Sequence, residues 1–532
     1  MQLKTYTSKE RNIYLTGLFG QNIIFNVMAV FANFYLRDVL FIPAFTVAFI
    51  LVASQVFDAI TDPFMGVFVD KTKTKYGKCR PWLMGAPGII FIFIMLSFLG
   101  NMYEYGEGAS MMRNAGVVAW VTVAYVLWGI FYMAGDIPLW GITSLMTEDE
   151  THRKKLQALA RAAAGVGGAI GLLGFQPIGI AIGQATGSDR TGFIIAALVF
   201  AGLGCGLYQL VGIFVKEKIS PPKSKIKVAD NFKMAWANMP FRRLLLSGIL
   251  CAPRNLLMIV AMPLVTYYFA NRNPVMMLVY MAVIGGGMFG GMFAAMMLVP
   301  WLLKRFEKKL IYNWSLLVDI VPSVALFGLF LLSVYLRTPG GLTNIWFLIP
   351  GSLIFAIKGT CMGLFMVLQT NMVNDAVDYE EYNSNHRPDG VFFSGQTFIV
   401  KIGNGICNLM YNAICGLVLF SGVNVMALQN MIDSIEETGV IPREVMQRGS
   451  EVIVHTFQDV NRAGEIISAS LTADRIFWFF AAMFFCVSIL PAIGSILAVI
   501  PTLRYELTDE AHQKILVALQ ERRRENEEAA AE

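Results

Sequence analysis

Residues 310–335 read LIYNWSLLVDIVPSVALFGLFLLSVY, a run of 26 residues with one charged side chain, Asp319. A helix needs about 20 consecutive apolar residues to cross a hydrocarbon core that is roughly 30 Å thick. The run stays apolar throughout, whereas a strand of a membrane β-barrel alternates between apolar and polar residues. The stretch therefore predicts a transmembrane helix.

Comparable runs recur along the whole chain. About twelve can be counted, with approximate bounds 12–36, 45–69, 82–101, 116–146, 156–183, 191–215, 241–270, 275–303, 310–335, 343–374, 390–420 and 473–501. An even number of spans places both termini on the same side of the membrane.

The composition agrees with a membrane protein. Of the 532 residues, 56% are hydrophobic and 15% are charged, whereas about 25% of the residues in soluble proteins are charged. These values exclude a soluble enzyme, a disordered chain and a small disulfide-bonded domain. Residues 1–11 are charged and the first apolar run is longer than the apolar region of a signal peptide, so we expect no cleavable signal sequence.

The distribution of Lys and Arg predicts the orientation. The short loops on the side of the termini hold 21 Lys and Arg residues, and those on the opposite side hold five, namely Arg37, Arg113, Arg190, Arg272 and Arg337. Because cytoplasmic loops are enriched in Lys and Arg, we expect a multi-pass protein of the cell's inner membrane with both termini in the cytoplasm. The net charge of +5 then reflects topology and not nucleic-acid binding. The expected partners are the lipid bilayer and a small solute.

A polar segment divides the chain into two halves. Residues 216–240 are basic and contain prolines, which predicts a cytoplasmic linker between two six-helix bundles, 1–215 and 241–501. The second bundle carries a predicted external insertion at 422–472, and residues 502–532 form a predicted cytoplasmic tail. Paired bundles of this kind favour a binding site between them, near the middle of the membrane.

Ionisable residues inside the predicted spans are the strongest functional signal. Each costs roughly 2.5–3.5 kcal/mol at the centre of a transmembrane helix, so each needs a partner or a water-filled cavity. Asp58 and Asp62 are four residues apart and share one face of a helix, and one of two such carboxylates retains a proton unless a cation lies between them. Asp136, Arg161 and Lys401 lie in three other spans. These charges form either a structural ion-pair network or a cation site coupled to a solute site, and we favour the second interpretation.

Other unusual residues have simpler interpretations. Arg254, Asp319 and Lys358 lie in spans of the second half; they either pair structurally, which we favour, or the two cations help to bind an anionic solute. The glycines in 285–291 have no phosphate-binding context and predict close helix packing. The seven cysteines show no metal-ligand spacing, which predicts free thiols.

Several motifs resemble those of a known family. They are DAITDPFMG at 58–66 with GKCRPW at 77–82, YVLWG at 125–129 with DIPLW at 136–140, NDAVDYEEY at 374–382 and SGQTFIVK at 394–401. They resemble the glycoside–pentoside–hexuronide:cation symporters, the melibiose permease-like branch of the major facilitator superfamily. The resemblance implies an all-α membrane protein with twelve transmembrane helices in two six-helix bundles.

The resemblance also implies roles for individual residues. The cation-binding residues would be Asp58, Thr61, Asp62 and Asp136. The substrate-binding residues would be Gln21, Asn22, Tyr132, Asp136, Trp140, Arg161, Met366, Gln396, Thr397 and Lys401. The gate residues on the cytoplasmic side would be Asp70, Arg80, Asp378 and Arg387. No catalytic group and no cofactor are expected. The coupling cation, Na⁺ or a proton, is the only ion expected to bind.

The chain departs from the family pattern at three places. Gln21 and Asn22 replace a Lys–Asp pair, Met366 replaces a Trp, and Met133 replaces a Thr whose oxygen helps to hold sodium. A thioether is a poor ligand for a hard cation, so proton coupling gains weight beside sodium coupling. Loss of an acid makes the pocket more positive, which suits either an anionic sugar such as a uronide or a neutral glycoside held by amides. We rank neutral glycosides ahead.

The sequence therefore predicts a monomeric, cation-coupled symporter that imports a sugar or glycoside by alternating access. The alternatives are a hexuronide or glucuronide symporter, a lysolipid carrier of the same branch, and a non-transporting membrane sensor that uses the insertion and the tail to bind proteins.

Overall fold

The structure is a computed structural model that describes most of the chain. The described residues are 5–72, 74–99, 111–147, 149–218, 236–384, 389–418, 422–446, 453–460 and 466–531. Most of the predicted linker and the predicted gate residue Arg387 lie outside them, as do the side chains of Asp62 and Asp70.

The first half forms six long helices. They are α1 (Ser8–Phe34), α2 (Ala44–Lys71), α3 (Arg80–Ser97), α4 (Met111–Gly141), α5 (Glu150–Thr186) and α6 (Asp189–Phe214). A π-helical turn, Tyr35–Val39, extends α1, and the short helix Thr143–Met146 follows α4.

The second half contains more and shorter helices. They are α7 (Met239–Leu250), α8 (Leu256–Leu264), α9 (Pro274–Tyr280), α10 (Gly286–Leu302), α11 (Lys308–Tyr335), α12 (Ile345–Ser384), α13 (Asp389–Leu417), α14 (Gly422–Asp433), α15 (Ala473–Val487), α16 (Ile489–Leu503) and α17 (Asp509–Ala531). Short helical turns lie at Ala252–Asn255, Val265–Phe269, Met281–Gly285, Gly341–Thr343, Ile435–Thr438 and Pro442–Val445.

The helices of the described residues supply enough spans for the predicted topology. Eight spans are long and apolar enough to cross a membrane, and a ninth is formed by α7 and Ala252–Phe269 together. Helices α1, α2 and α13 contain 27, 28 and 29 residues, which exceeds the length that a crossing needs, and they bring the number of spans to twelve. These three carry polar residues within the spans, such as Gln21, Asp58 and Lys401.

The seventh span is broken rather than continuous. Its two parts are bent by 45°, and a 3₁₀ turn at Ala252–Asn255 separates them. Pro253 lies in this turn, and a proline has no N–H group to continue a helical hydrogen-bond ladder. The run 241–270, predicted as one helix, is therefore two segments.

Each half packs as its own bundle, and the two bundles meet along a few helices. In the first bundle α1 packs on α5 and α6, and in the second α12 packs on α10 and α11. A Cβ atom at Gly20 of α1 would lie 2.5 Å from the carbonyl oxygen of Gly204 in α6, so these helices approach closely because both residues are glycine. Between the bundles, α2 lies along α13 and α9 lies against α5.

The insertion contains a structure that the all-α prediction omits. Strand β1 (Ile453–Val460) pairs antiparallel with β2 (Ile466–Thr472), and the hairpin packs on α14. Both strands are rich in Ile, Val and Thr, which favour extended backbone. We call the end of the molecule that carries this insertion the insertion end, and the end with both chain termini the termini end.

The glycine cluster of the eighth span is only partly a packing surface. A Cβ atom at Gly287 would lie 3.0 Å from the carbonyl oxygen of Ser352, and one at Gly291 would lie 2.9 Å from the hydroxyl of Thr360. The other three glycines of the cluster have no described atom within 4 Å of such a Cβ. Close packing is thus confirmed for two of the five glycines.

We expect Gly291→Val to lower the thermal unfolding temperature of the purified protein, because its side chain would push α10 away from α12. Overpacking of this kind costs about 1–3 kcal/mol. Gly290→Val adds the same side chain one residue earlier, where space is open, and serves as the matched control. Equal unfolding temperatures for the two variants would contradict the close contact.

Candidate functional site

Polar side chains of the first bundle converge on Asp136 of α4. The amide nitrogen of Gln21, from α1, donates a hydrogen bond of 2.7 Å to Asp136 Oδ1 and a second one to the hydroxyl of Tyr132. Asn22 donates to Gln21 Oε1 at 2.7 Å. Gln21 and Tyr132 are buried, whereas Asp136 is half-buried. The two residues that replace the family's Lys–Asp pair therefore form an amide chain that ends on a carboxylate.

An aromatic ring and a guanidinium complete this group. Trp140 lies one helical turn after Asp136, and its indole N–H donates to the same Oδ1 atom at 3.1 Å. The Arg161 guanidinium, from α5, lies 5.6 Å from the centre of the Trp140 ring, within the range of a cation–π contact. Arg161 is exposed, and Trp140 is half-buried. The group thus offers a carboxylate, a guanidinium and an indole face, which together suit the hydroxyls and the C–H face of a sugar.

Asp58 of α2 lies against the same helix α4, at a different level. A Cβ atom at Gly129 would lie 2.6 Å from Asp58 Oδ1, so the absence of a side chain at Gly129 makes room for the carboxylate. Gly129 and Asp136 are seven residues apart in α4, which corresponds to about 10.5 Å of helix rise. The Thr61 hydroxyl donates to the backbone oxygen of Asp58 at 3.3 Å. Asp58 of α2 therefore contacts α4 at a different height from Asp136.

Lys401 joins this group from the second bundle. Its Nζ atom lies 3.9 Å from the Met133 sulfur of α4, next to Tyr132 in sequence. Lys401 is half-buried, and it lies on α13, the helix that packs along α2. Met133, one of the departures from the family pattern, thus contacts a lysine of the opposite bundle.

Three other predicted substrate residues are less clearly connected. Met366 of α12 is 45% exposed, Gln396 is half-buried and Thr397 is exposed. Among the described contacts, neither Met366 nor Gln396 forms a hydrogen bond or ring contact with the Asp136 group. Their place in the site stays a prediction.

Two of the predicted gate residues, Arg80 and Asp378, have described side-chain contacts, and the gate itself stays a prediction. Arg80 donates to the backbone oxygens of Gly212 and Ile213 at 3.1 and 2.8 Å, all within the first bundle. Asp378 of α12 contacts the imidazole of His512 in α17 at 3.0 Å, within the second half. The contact of His512 with Asp378 was not predicted from the sequence, because a single histidine in a charged tail forms no recognisable motif.

The insertion end, by contrast, is closed by contacts between the bundles. The hydroxyl of Tyr267 donates to Asp38 Oδ1 at 3.0 Å, and Arg272 forms an ion pair of 2.7 Å with Asp189. Asp38, Tyr267 and Arg272 are buried. From the sequence alone, Arg272 is predicted only to be an external loop residue, because it follows the end of a predicted span. Polar contacts between the two bundles therefore lie at the insertion end.

The ionisable residues of the second half pair with one another, as favoured from the sequence. Asp319 lies 3.4 Å from Arg254 Nε and 3.6 Å from Lys358 Nζ, and all three side chains are buried. Ser495 of α16 donates to the same carboxylate at 3.4 Å. The cluster therefore joins four segments of the second bundle around one carboxylate.

The comparison with known proteins decides the family. Residues 13–435 match the family described as MFS/sugar transport protein. The chain belongs to this family. Membership confirms the resemblance to the glycoside–cation symporter branch and the fold of the major facilitator superfamily, and it makes the chain a multi-pass membrane transporter of a small-molecule substrate rather than an enzyme.

Individual relatives are distant but cover most of the chain. An isoprimeverose transporter of Lactiplantibacillus pentosus is 25% identical over 78% of this chain and 80% of its own length. The putative glycoside/cation symporter YagG of Escherichia coli strain K12 is 24% identical over 84% of this chain and 91% of its own length. A bacterial homologue of the human lysosomal transporter Spinster shares the fold, with a TM-score of 0.61 and 14% identity over 94% of this chain and 98% of that one.

We expect Asp319→Asn to destabilise the protein strongly, because it leaves the buried cations Arg254 and Lys358 without a carboxylate. Breaking a buried ion pair in this way costs about 3–5 kcal/mol. Lys358→Met retains the pair between Arg254 and Asp319, so its effect should be smaller. Thermal unfolding in detergent measures both, and equal losses would show that Asp319 does not compensate the two cations.

Proposed function

We propose that the protein is a cation-coupled symporter that imports a sugar or glycoside by alternating access of its two bundles. One observation carries the proposal. Asp136 lies on α4 and accepts hydrogen bonds from Gln21 and Trp140. The same helix contacts Asp58 of α2 and Lys401 of the opposite bundle. A group of residues on α4 that suits a sugar and a carboxylate of α2 that suits an ion thus lie against the same helix.

The residue types support a sugar over the other solutes considered. Hydroxyl groups require planar acceptors and donors, which Asp136, Gln21 and Arg161 provide, and the Trp140 ring provides an apolar face. A lysolipid would require an apolar cavity, whereas this group is polar. We rank neutral glycosides ahead of uronides, because the Gln21–Asn22 amide chain is uncharged. The isoprimeverose transporter and the putative glycoside/cation symporter among the relatives agree with this ranking.

The coupling ion would bind at Asp58, Asp62 and Asp136, the acidic residues of α2 and α4, together with the hydroxyl of Thr61. The Thr61 hydroxyl donates to its own helix and keeps its lone pairs for a cation, whereas Met133 offers a thioether sulfur that contacts Lys401 and is a poor ligand for a sodium ion. This favours a proton beside Na⁺ as the ion. One inward charge at about 100 mV supplies about 2.3 kcal/mol, or roughly 50-fold accumulation of the solute. Because binding energies are reciprocal, each ligand tightens the other.

The orientation follows from the Lys and Arg distribution. We place the termini end in the cytoplasm of a cell's inner membrane, since its short loops hold 21 Lys and Arg residues against five in the short loops on the other side. The insertion end is then external, and its closure makes this conformation inward-facing. One chain supplies every residue of the group, so we propose a monomer. The gate residues Asp70, Arg80, Asp378 and Arg387 would close the cytoplasmic side in the opposite conformation.

The coupling role of Asp58 is testable by transport. A thermal-shift screen against sugars, with and without sodium and across pH, first identifies a solute. In proteoliposomes, we expect Asp58→Cys to lose accumulation driven by a Na⁺ or proton gradient while some solute binding remains. Normal accumulation by this variant would contradict the proposal. Asp474→Asn removes an exposed carboxylate at the start of α15, and should transport normally.

The solute-binding role of Asp136 predicts a different defect. We expect Asp136→Asn to weaken solute binding by about 10- to 100-fold, the effect of losing a charged hydrogen-bond acceptor worth about 1.5–3 kcal/mol. Equilibrium binding of the same radiolabelled solute measures the change, again with Asp474→Asn as the control. Unchanged affinity would remove Asp136 from the solute site.

A further inference from the structure

Helix α14 of the insertion lies on the seam between the bundles. The amide nitrogen of Gln429 donates to the backbone oxygen of Asp38 at 2.8 Å and to the hydroxyl of Tyr267 at 2.9 Å. Asp38 belongs to the first bundle and Tyr267 to the second, and Gln429 is 7% exposed. One buried amide of the insertion therefore bonds both bundles at the point where they meet.

Asp433, one helical turn later, contacts an arginine of the second bundle that itself pairs with the first bundle. Its Oδ1 atom lies 3.2 Å from Arg272 Nε, and the same guanidinium lies 2.7 Å from Asp189. Arg272 belongs to the second bundle and Asp189 to the first. Residues four apart share one face of a helix, so Gln429 and Asp433 face the seam together.

Two further residues of the insertion bond to the second bundle. Arg443 donates to the backbone oxygens of Tyr268 and Phe269 at 2.9 and 3.0 Å, and Glu444 accepts from the Gly340 N–H at 3.3 Å. These contacts lie within one bundle, so a rocking motion of the bundles leaves them in place. The Gln429–Asp38 bond and the Asp433–Arg272–Asp189 bridge span two bundles, so the same motion must break them.

We infer that Gln429 and Asp433 are gate residues of the transport cycle, through which the insertion keeps the insertion end closed while the solute site is open toward the termini. The inference rests on the proposed alternating-access function. The two residues act by holding Asp38, Tyr267 and Arg272 in their cross-bundle contacts, and they are positioning residues that do not touch the solute. Opening of the insertion end requires that α14 separates from the first bundle.

The test measures the width of the insertion end directly, without a solute. Ala185 at the end of α5 and Tyr335 at the end of α11 are exposed, one in each bundle. Both are replaced by Cys, spin-labelled and measured by double electron–electron resonance in the full-length protein. The seven native cysteines are buried, which favours labelling of the introduced pair. A closed gate gives a short distance, and an open gate gives a longer one.

We expect Gln429→Met with Asp433→Asn to raise the ratio of long to short distances by roughly tenfold, the factor that corresponds to about 1.4 kcal/mol. Each single variant should give a smaller increase, so the test does not depend on the double variant folding. Glu437→Gln removes a neighbouring exposed carboxylate that has no described side-chain partner, and should match the wild type.

The outcomes separate this inference from the proposed function. If all folded variants give the wild-type distance distribution, the insertion does not hold the gate and the inference is wrong, even where sugar uptake is normal. A shift in the two gate variants but not in Glu437→Gln supports the inference. If that shift occurs in a protein that accumulates no sugar, the gate role stands and the proposed substrate is wrong.

Discussion

A charge inside a membrane-spanning bundle must be compensated, and this constraint organises the molecule. Asp319 compensates Arg254 and Lys358 within the second bundle, and this cluster fastens four segments together. At the insertion end Arg272 lies between carboxylates of different parts of the chain. Between these clusters, Asp136 accepts from two neutral donors while Arg161 stays exposed. Asp136 therefore has the neutral donors and the neighbouring exposed guanidinium that the proposed solute site requires, whereas the ion pairs of the other two clusters join parts of the bundles.

The two ends of the molecule differ in how the bundles are joined. At the insertion end, hydrogen bonds and ion pairs cross the seam, including Tyr267 to Asp38. At the termini end, the described polar contacts of Arg80 and Asp378 stay within their own halves. The described polar contacts that cross between the bundles thus include several at the insertion end, which is the arrangement that the proposed inward-facing conformation requires.

Much of the fold and part of the candidate site were predictable from the sequence. Span lengths are set by bilayer thickness, so uninterrupted apolar runs predicted the helices, and charged residues within those runs predicted the Asp136 group and the pairing of Asp319. Residues near the ends of spans were not predictable in the same way. Arg272 and Asp433 read as ordinary loop charges, because a charge costs little in water and acquires meaning only from a partner far away in sequence. The β1–β2 hairpin was also not predicted from the sequence, since a short segment with a few apolar residues can form either a strand or an amphipathic helix.

The insertion and the tail helix both belong to the second half of the chain. Each contacts a residue that we propose to act in gating. The insertion, anchored by Arg443, reaches across the closed end to Asp38. The tail helix α17 engages Asp378 through His512 at the opposite end, without crossing the seam. In the reverse conformation of the proposed cycle, Asp378 would need to exchange some of its contact with His512 for a partner in the first bundle, while α14 leaves Asp38. The second half of the chain would then break contacts at one end of the molecule as it forms contacts at the other. The free-energy balance between the two conformations would therefore depend on the insertion and the tail, which lie outside the twelve spans.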